Sequence, residues 1–148
     1  VNLRGFVNIA QGSLTSGTTY NLLVGAAPAQ QRVAVTGFGI FGAYNAAATP
    51  GLLQFAKAAS AGSGGTAVTP LPLEPECTET FQSTWATQPS SAPSSIVVFD
   101  SREVNPQLGL TEYFPLGDEI YIKGGGFFVI QFTPQVTCNY SGWIRINE

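Results

Sequence analysis

The chain has 148 residues, of which 44% are hydrophobic and only 10% charged, with a net charge of −3 and no histidine. That length points to one domain spanning residues 1–148. Arg4, Arg32, Lys57, Arg102, Lys123 and Arg145 are scattered; nucleic-acid binding lacks its electrostatic contribution, and no run reaches the roughly 18 apolar residues of a membrane helix.

A chain of 15.5 kDa should expose roughly 7,000 Å² when folded. Average domains carry about 25% charged residues. So few charges on that surface imply that part of it is covered in use.

In chain order, residues 3–10 read as a short strand with Leu3, Gly5, Val7 and Ile9 on one face. Gly12-Ser13 then reads as a turn. Residues 1–12 hold no basic region leading into an apolar run, so no secretory leader is expected in them. Residues 20–24 are apolar nearly throughout, as in a strand buried on both faces. Residues 25–31 form a loop.

The stretch 32–75 organises the reading. Residues 33–44 form a long strand whose parity is broken by Phe38 and Ile40, which implies a bulge near Gly37 or Gly39. Glycines 37, 39, 42 and 51 argue against a helix there, at about 1 kcal/mol each. Thr49-Pro50-Gly51 is a turn, and residues 52–58 return as the second arm of a hairpin, a short helical turn being the alternative. Residues 59–65 have linker composition. Pro70, Pro72 and Pro75 hold an extended arm, so that 59–75 is one long Gly/Ser/Pro loop.

Further on, Phe81 and Trp85 share a parity in residues 80–87, and residues 89–95 form a flexible loop. Short strands follow at 96–100, 110–114, 120–122, 127–132 and 142–146, the last with Ile144 and Ile146 inward and Arg145 outward. Eight to ten short strands separated by turn signals predict an all-β fold, a jelly-roll β-sandwich of about eight strands. An immunoglobulin-like sandwich is the alternative, weakened by the spacing of Cys77 and Cys138 and by Trp85 lying so soon after Cys77.

The motifs offer little chemistry. Residues 37–42 spell GxGxxG, but inside an apolar strand rather than at a strand-to-helix turn, so close packing or a bulge explains the glycines better than a dinucleotide. Without histidine there is no Ser-His-Asp or Cys-His pairing. Glu74, Glu76 and Glu79, and Asp118-Glu119, lie on turns where acids are ordinarily solvated, and neither cluster has the spacing of a calcium loop. No catalytic residue, cofactor site or metal site is expected. Cys77 and Cys138 are too few for zinc and read as free thiols, with one disulfide as the alternative. Asn139-Tyr140-Ser141 fits the glycosylation pattern as a chance match. Trp85, Trp143, Tyr113, Tyr121 and Tyr140 would suit sugars if exposed, although aromatics at strand parity more often serve the core.

The strand 33–44, the return TPGLLQFAKA (49–58), the loop GSGGTAVTPLPLEP (62–75) and the closing GWIRINE together resemble small jelly-roll virion proteins of tailed bacteriophages. Among these are capsid decoration, or cement, proteins with a tumour-necrosis-factor-like fold. The resemblance implies a structural, non-enzymatic homotrimer on the capsid surface, assembled in the host cytoplasm and clamping the major capsid protein. Residues 1–10 and 59–75 would be its arms, with Leu3, Phe6, Leu71 and Leu73 as arm contacts. Consecutive apolar residues at 20–24, 96–99 and 127–132 call for cover on both faces, so Phe127, Phe128 and Phe132 are candidates for the threefold axis or for the interior. A monomer whose own loops supply that cover is the competing account. A carbohydrate- or receptor-binding jelly roll of a fibre or tail is the alternative function, and a carboxylate enzyme the third.

Overall fold

The structure, a computed structural model, describes residues 3–41 and 45–148, with Phe41 described by its backbone. It is all-β. The strands are β1 (Arg4–Leu14), β2 (Tyr20–Ala26), β3 (Val33–Phe41), β4 (Gly51–Ala58), β5 (Thr66–Val68) and β6 (Leu71–Pro72). They continue with β7 (Thr84–Thr87), β8 (Val97–Val104), β9 (Leu110–Tyr113), β10 (Ile120–Ile122), β11 (Phe127–Thr133) and β12 (Cys138–Asn147). Two six-stranded antiparallel sheets form a β-sandwich. Sheet A runs β10-β3-β12-β1-β6, with β9 also paired to β3; sheet B runs β5-β7-β2-β11-β4-β8. The chain exposes 7,647 Å², close to the area expected for its mass.

Alternation builds the core. In β12, Ile144 and Ile146 are fully buried while Arg145 points outward. In β1, Val7 and Ile9 face the same interior. Phe38 of sheet A meets Phe55 of sheet B edge-on at 5.0 Å, and Phe55 stacks on Phe128 at 5.9 Å. Such pairs add about 0.5–1.5 kcal/mol each beyond the area they bury. Trp85 occupies the space that Gly25, its cross-strand neighbour, leaves empty: a Cβ there would lie 2.2 Å from the indole. Its Nε1 donates to Ser83 Oγ at 3.0 Å, and Ser83 Oγ donates to the Glu148 carboxylate at 2.8 Å. The buried indole therefore leaves no donor unmet.

Several expectations are corrected. The strands 33–41 and 51–58 are not a hairpin: β3 belongs to sheet A and β4 to sheet B, so the chain between them crosses the sandwich. Asn45 anchors the crossing. Its Nδ2 donates to the carbonyls of Pro106 and Asn139, and its Oδ1 accepts from Asn139 N–H. A tight turn needs no such distant partners; a crossover does, because its backbone leaves both ladders. Residues 42–44 of the expected strand, and Gly42 of the GxGxxG pattern, lie outside the described residues.

Nor is the N-terminal segment an arm from Arg4 onward. Strand β1 lies between β12 and β6, running past Gly12-Ser13 through a bulge instead of turning there. Val1 and Asn2 lie outside the described residues. The loop 59–75 contains two short strands, β5 on the edge of sheet B and β6 on the edge of sheet A. The expected eight strands become twelve through such short pieces. The bulge expected near Gly37 lies between the partners of Arg145 and Ile146, at residues 35–37. Cys77 and Cys138 are free thiols.

Cover for the second face of sheet B comes from the chain itself. Val24, Ala56 and Val129 form a small outer cluster, and Ala61 and Ile96 pack against it. For β2 and β11 the loops around Ala61 and Ile96 thus supply the cover that the sequence left open between a neighbouring copy and the chain's own loops.

Gly25→Ala should expel the Trp85 ring from its seat and lower stability by about 1–3 kcal/mol, as overpacking of a filled core does. Thermal unfolding checks it at about 2–4 °C per kcal/mol for a domain of this size. An unchanged melting temperature would show that Trp85 is not held there.

Candidate functional site

A sandwich has two long sides, and in this molecule they are finished differently. On one side the chain passes from β5 to β6 and so joins the sheet edges covalently. On that side, Phe81 also covers Gly5, and Gln82 and Ser83 N–H donate to the Glu148 carboxylate at 2.5 and 3.1 Å. On the other side, β8 ends sheet B and β9 and β10 end sheet A; residues 105–109 carry the chain from β8 to β9 at one end, and among the described residues no strand fills the rest of that side.

The two halves of β8 differ chemically. Its C-terminal half carries Asp100, Arg102 and Glu103, the charged edge that discourages further strand pairing. Its N-terminal half carries Val97, Val98 and Phe99, which are 51%, 40% and 50% exposed. Phe99 is the extra residue of a bulge, since Asp100 pairs with Phe55 and Val98 with Ala56. The bulge turns its ring toward Phe128, 6.3 Å away.

Arg102 bridges the open side. Its Nε and Nη2 bind the two carboxylate oxygens of Glu112 on β9 at 2.6 and 3.0 Å, and its Nη1 binds Asp100 at 2.6 Å. The guanidinium also lies 5.8 Å from the Phe55 ring centre and 6.0 Å from that of Phe38, capping the inter-sheet aromatics. Bidentate pairing of this kind is the strong form of an ion pair. Hydrogen bonds from Arg102 hold Glu112 below the usual glutamate value of 4.5, and Glu112 in turn raises Arg102.

Beyond the clasp the sheets diverge around a cleft of about 840 Å³. Phe128 forms its floor, Phe99 and Phe127 one wall, and Ile120, Tyr121 and Ile122 of β10 the other. Lys57, Lys123 and Glu119 stand on the rim. Arg32 lies over Tyr121 at 4.4 Å. The volume is that of a ligand pocket, but its wall is an unpaired strand edge. What it offers is apolar burial plus a row of backbone hydrogen bonds. Among the described residues, no group of three or more His, Cys, Asp or Glu is placed to hold a metal ion.

The residues singled out from sequence are divided by the fold. Phe128 and Phe132 are buried between the sheets and so are withdrawn as interface residues; Phe127 is half-buried at the cleft. Leu3 and Leu73 come together in a shallow pocket at the β6 edge, while Leu71 pairs with Phe6 beside it and is 51% exposed. Of the sugar-binding candidates, Trp85 and Tyr140 are core, the Tyr140 hydroxyl paired with Gln88. Trp143, Tyr113 and Tyr121 remain on the outer surface. The apolar run at 96–99 was legible, but its position on a sheet edge was not, and the Arg102–Glu112 clasp had no local signal. Compared with known proteins, the chain matches no family model and no curated protein.

The clasp makes a pH prediction. Because Glu112 titrates below its usual range when folded, its contribution is fully present above about pH 4.5 and is lost as pH falls through the lower folded value. Glu112→Gln should cost about 0.5–1 kcal/mol at pH 7 and should flatten the fall in stability below pH 4.5. Urea unfolding at a series of pH values measures both; parallel profiles for the two proteins would exclude the clasp as the cause.

Proposed function

We propose that this protein is a structural attachment module of a virion, a jelly-roll capsid decoration protein whose work is to seat on and brace capsid subunits without catalysing a reaction. The observation that carries this reading is the apolar half of the unpaired edge β8 together with the cleft behind it. Soluble proteins ordinarily guard such an edge with charge. This one guards only the half that is already clasped. An extended segment of the major capsid protein would add to β8 as a further strand and bury an apolar side chain against Phe99 and Phe128, the mode in which backbone bonds supply affinity and pockets supply selectivity.

The strand order supports the jelly-roll wiring. The neighbours β10-β3-β12-β1 and β8-β4-β11-β2 come from a chain that crosses between sheets at eight of its eleven connections, the exceptions being β4–β5, β7–β8 and β9–β10, in keeping with Greek-key wrapping. The low charge of the chain supports a surface meant to be covered. The location in this reading is the outside of the capsid.

Attachment is tested by adding the protein to capsids stripped of decoration. Val98→Lys with Phe99→Lys should fold normally, because exposed substitutions shift stability by about 0.5 kcal/mol or less, yet should fail to sediment with the particles. Full attachment of the double variant would overturn the seat.

Three copies would complete the device. The Leu3–Leu71–Leu73 patch on the opposite edge is the contact assigned to the homotrimer, in which three modest seats act together as avidity. Light scattering should give the mass of three chains, falling to one for Leu71→Glu. A single-chain mass for the unaltered protein, with no grouping in threes on the particle, would reject the trimer and leave the seat to its own test.

A further inference from the structure

The outer face of sheet A carries a second, separate construction. One cross-strand row reads Leu71 on β6, Phe6 on β1, Arg145 on β12, Gly37 on β3 and Tyr113 on β9, each residue in register with the next. In the next row Trp143 on β12 stands beside Gly39 on β3. The two glycines shape this face. A Cβ on Gly39 would lie 2.8 Å from the Trp143 indole, and one on Gly37 would lie 2.8 Å from the Tyr113 ring. With no side chain on β3, both rings fold down over its backbone. They form one shelf, their centres 5.7 Å apart and their planes 36° from parallel. Phe6 closes the end edge-on, 6.2 Å from Trp143 at 89°.

Arg145 is set into this shelf. Its guanidinium carbon lies 5.0 Å from the Phe6 ring centre, 5.2 Å from that of Tyr113 and 5.9 Å from that of Trp143. The rings enclose its Nε, which has no acceptor, and no carboxylate pairs with it among the described residues. A surface arginine that served stability alone would gain from a carboxylate neighbour, as Arg102 does. Arg145 is instead oriented by stacking while its terminal nitrogens keep their hydrogen-bonding capacity, the arrangement that receives a planar anion in bidentate fashion.

We infer that this face binds an acidic saccharide, a pyranose carrying a carboxylate. Its apolar ring face would lie on Trp143 and Tyr113, and its carboxylate would pair with Arg145. The aromatic shelf supplies area that every pyranose can use; the unpaired cation supplies selectivity for the acid. Shallow sites of this kind bind weakly one at a time, and copies arrayed on a particle would multiply them. The inference does not rest on the β8 seat, which lies on the open side of the sandwich rather than on this face.

Tryptophan fluorescence reads the site, because Trp85 is buried and Trp143 is the indole at the surface. Titration with glucuronate should quench saturably, about tenfold more tightly than glucose, a difference of the size one charged contact provides. Raising the salt should erase that preference while leaving the glucose response, since screening acts on the charge alone. Arg145→Gln should bind the two sugars equally, and Tyr113→Ala, at an exposed position, should weaken both. Equal binding of glucuronate and glucose by the unaltered protein, no saturable quenching by either, or an acid preference that survives Arg145→Gln would each overturn the assignment. The Val98→Lys, Phe99→Lys double variant should retain the sugar response, which separates this test from that of capsid attachment.

Discussion

The structure depends on closing two sheets around one apolar interior when the strands themselves close neither side. Each sheet presents an inner face of alternating Val, Ile, Leu and Phe, and burying it is the main favourable contribution to folding. Along one side the polypeptide is the closure, because β5 and β6 are consecutive in the chain. Along the other, the chain also passes from edge to edge, from β8 to β9, and the Arg102 guanidinium reinforces that joint by reaching the Glu112 carboxylate over the Phe38–Phe55 pair. The cleft exists because that bridge is placed toward one end of the side. Where it stops, Phe99 and Tyr121 stand open above the buried Phe128 ring.

Glycine opposite an aromatic ring is a device used on both surfaces of this sandwich. Inside, Trp85 fills the room over Gly25 and Phe132 the room over Gly51. Outside, Trp143 and Tyr113 lie over Gly39 and Gly37. The physics is the same in each case. Glycine weakens a strand by removing a side chain that would pack, and a large ring from the neighbouring strand restores the contact. Inside, the result is a filled core. Outside, it is a flat aromatic shelf, and the same substitution pattern becomes a surface on which something else can lie.

The two surfaces differ in what they present. The β8 edge offers unpaired backbone groups beside an apolar trough, suited to an extended polypeptide. The sheet A shelf offers ring faces and one oriented cation, with its backbone already paired in the ladders. In the proposed reading, a seat on one side and a shelf on another face would connect two different chemistries without moving.

Residue order alone determined the class of this fold and the parity of its clearest strands. Val7 and Ile9 in β1, and Ile144 and Ile146 in β12, face inward because alternation is a local property with a period of two. The scarcity of charge and the missing histidine likewise belong to composition and needed no coordinates. Pairing was decided by the tertiary structure. A Thr-Pro-Gly turn between two apolar runs is compatible with a hairpin or with a crossing, and only the competition among all strands for partners sent β3 and β4 to different sheets. The same holds for the arms: a proline-rich segment becomes a pair of edge strands when a sheet edge is within reach, and an N-terminal segment becomes a ladder strand when β12 lies beside it. Arg102 and Glu112, like Arg145 and its three rings, are brought together by strand register across the sandwich or along its face. No local pattern encodes those distances, because register is fixed only when every buried face finds its cover at once.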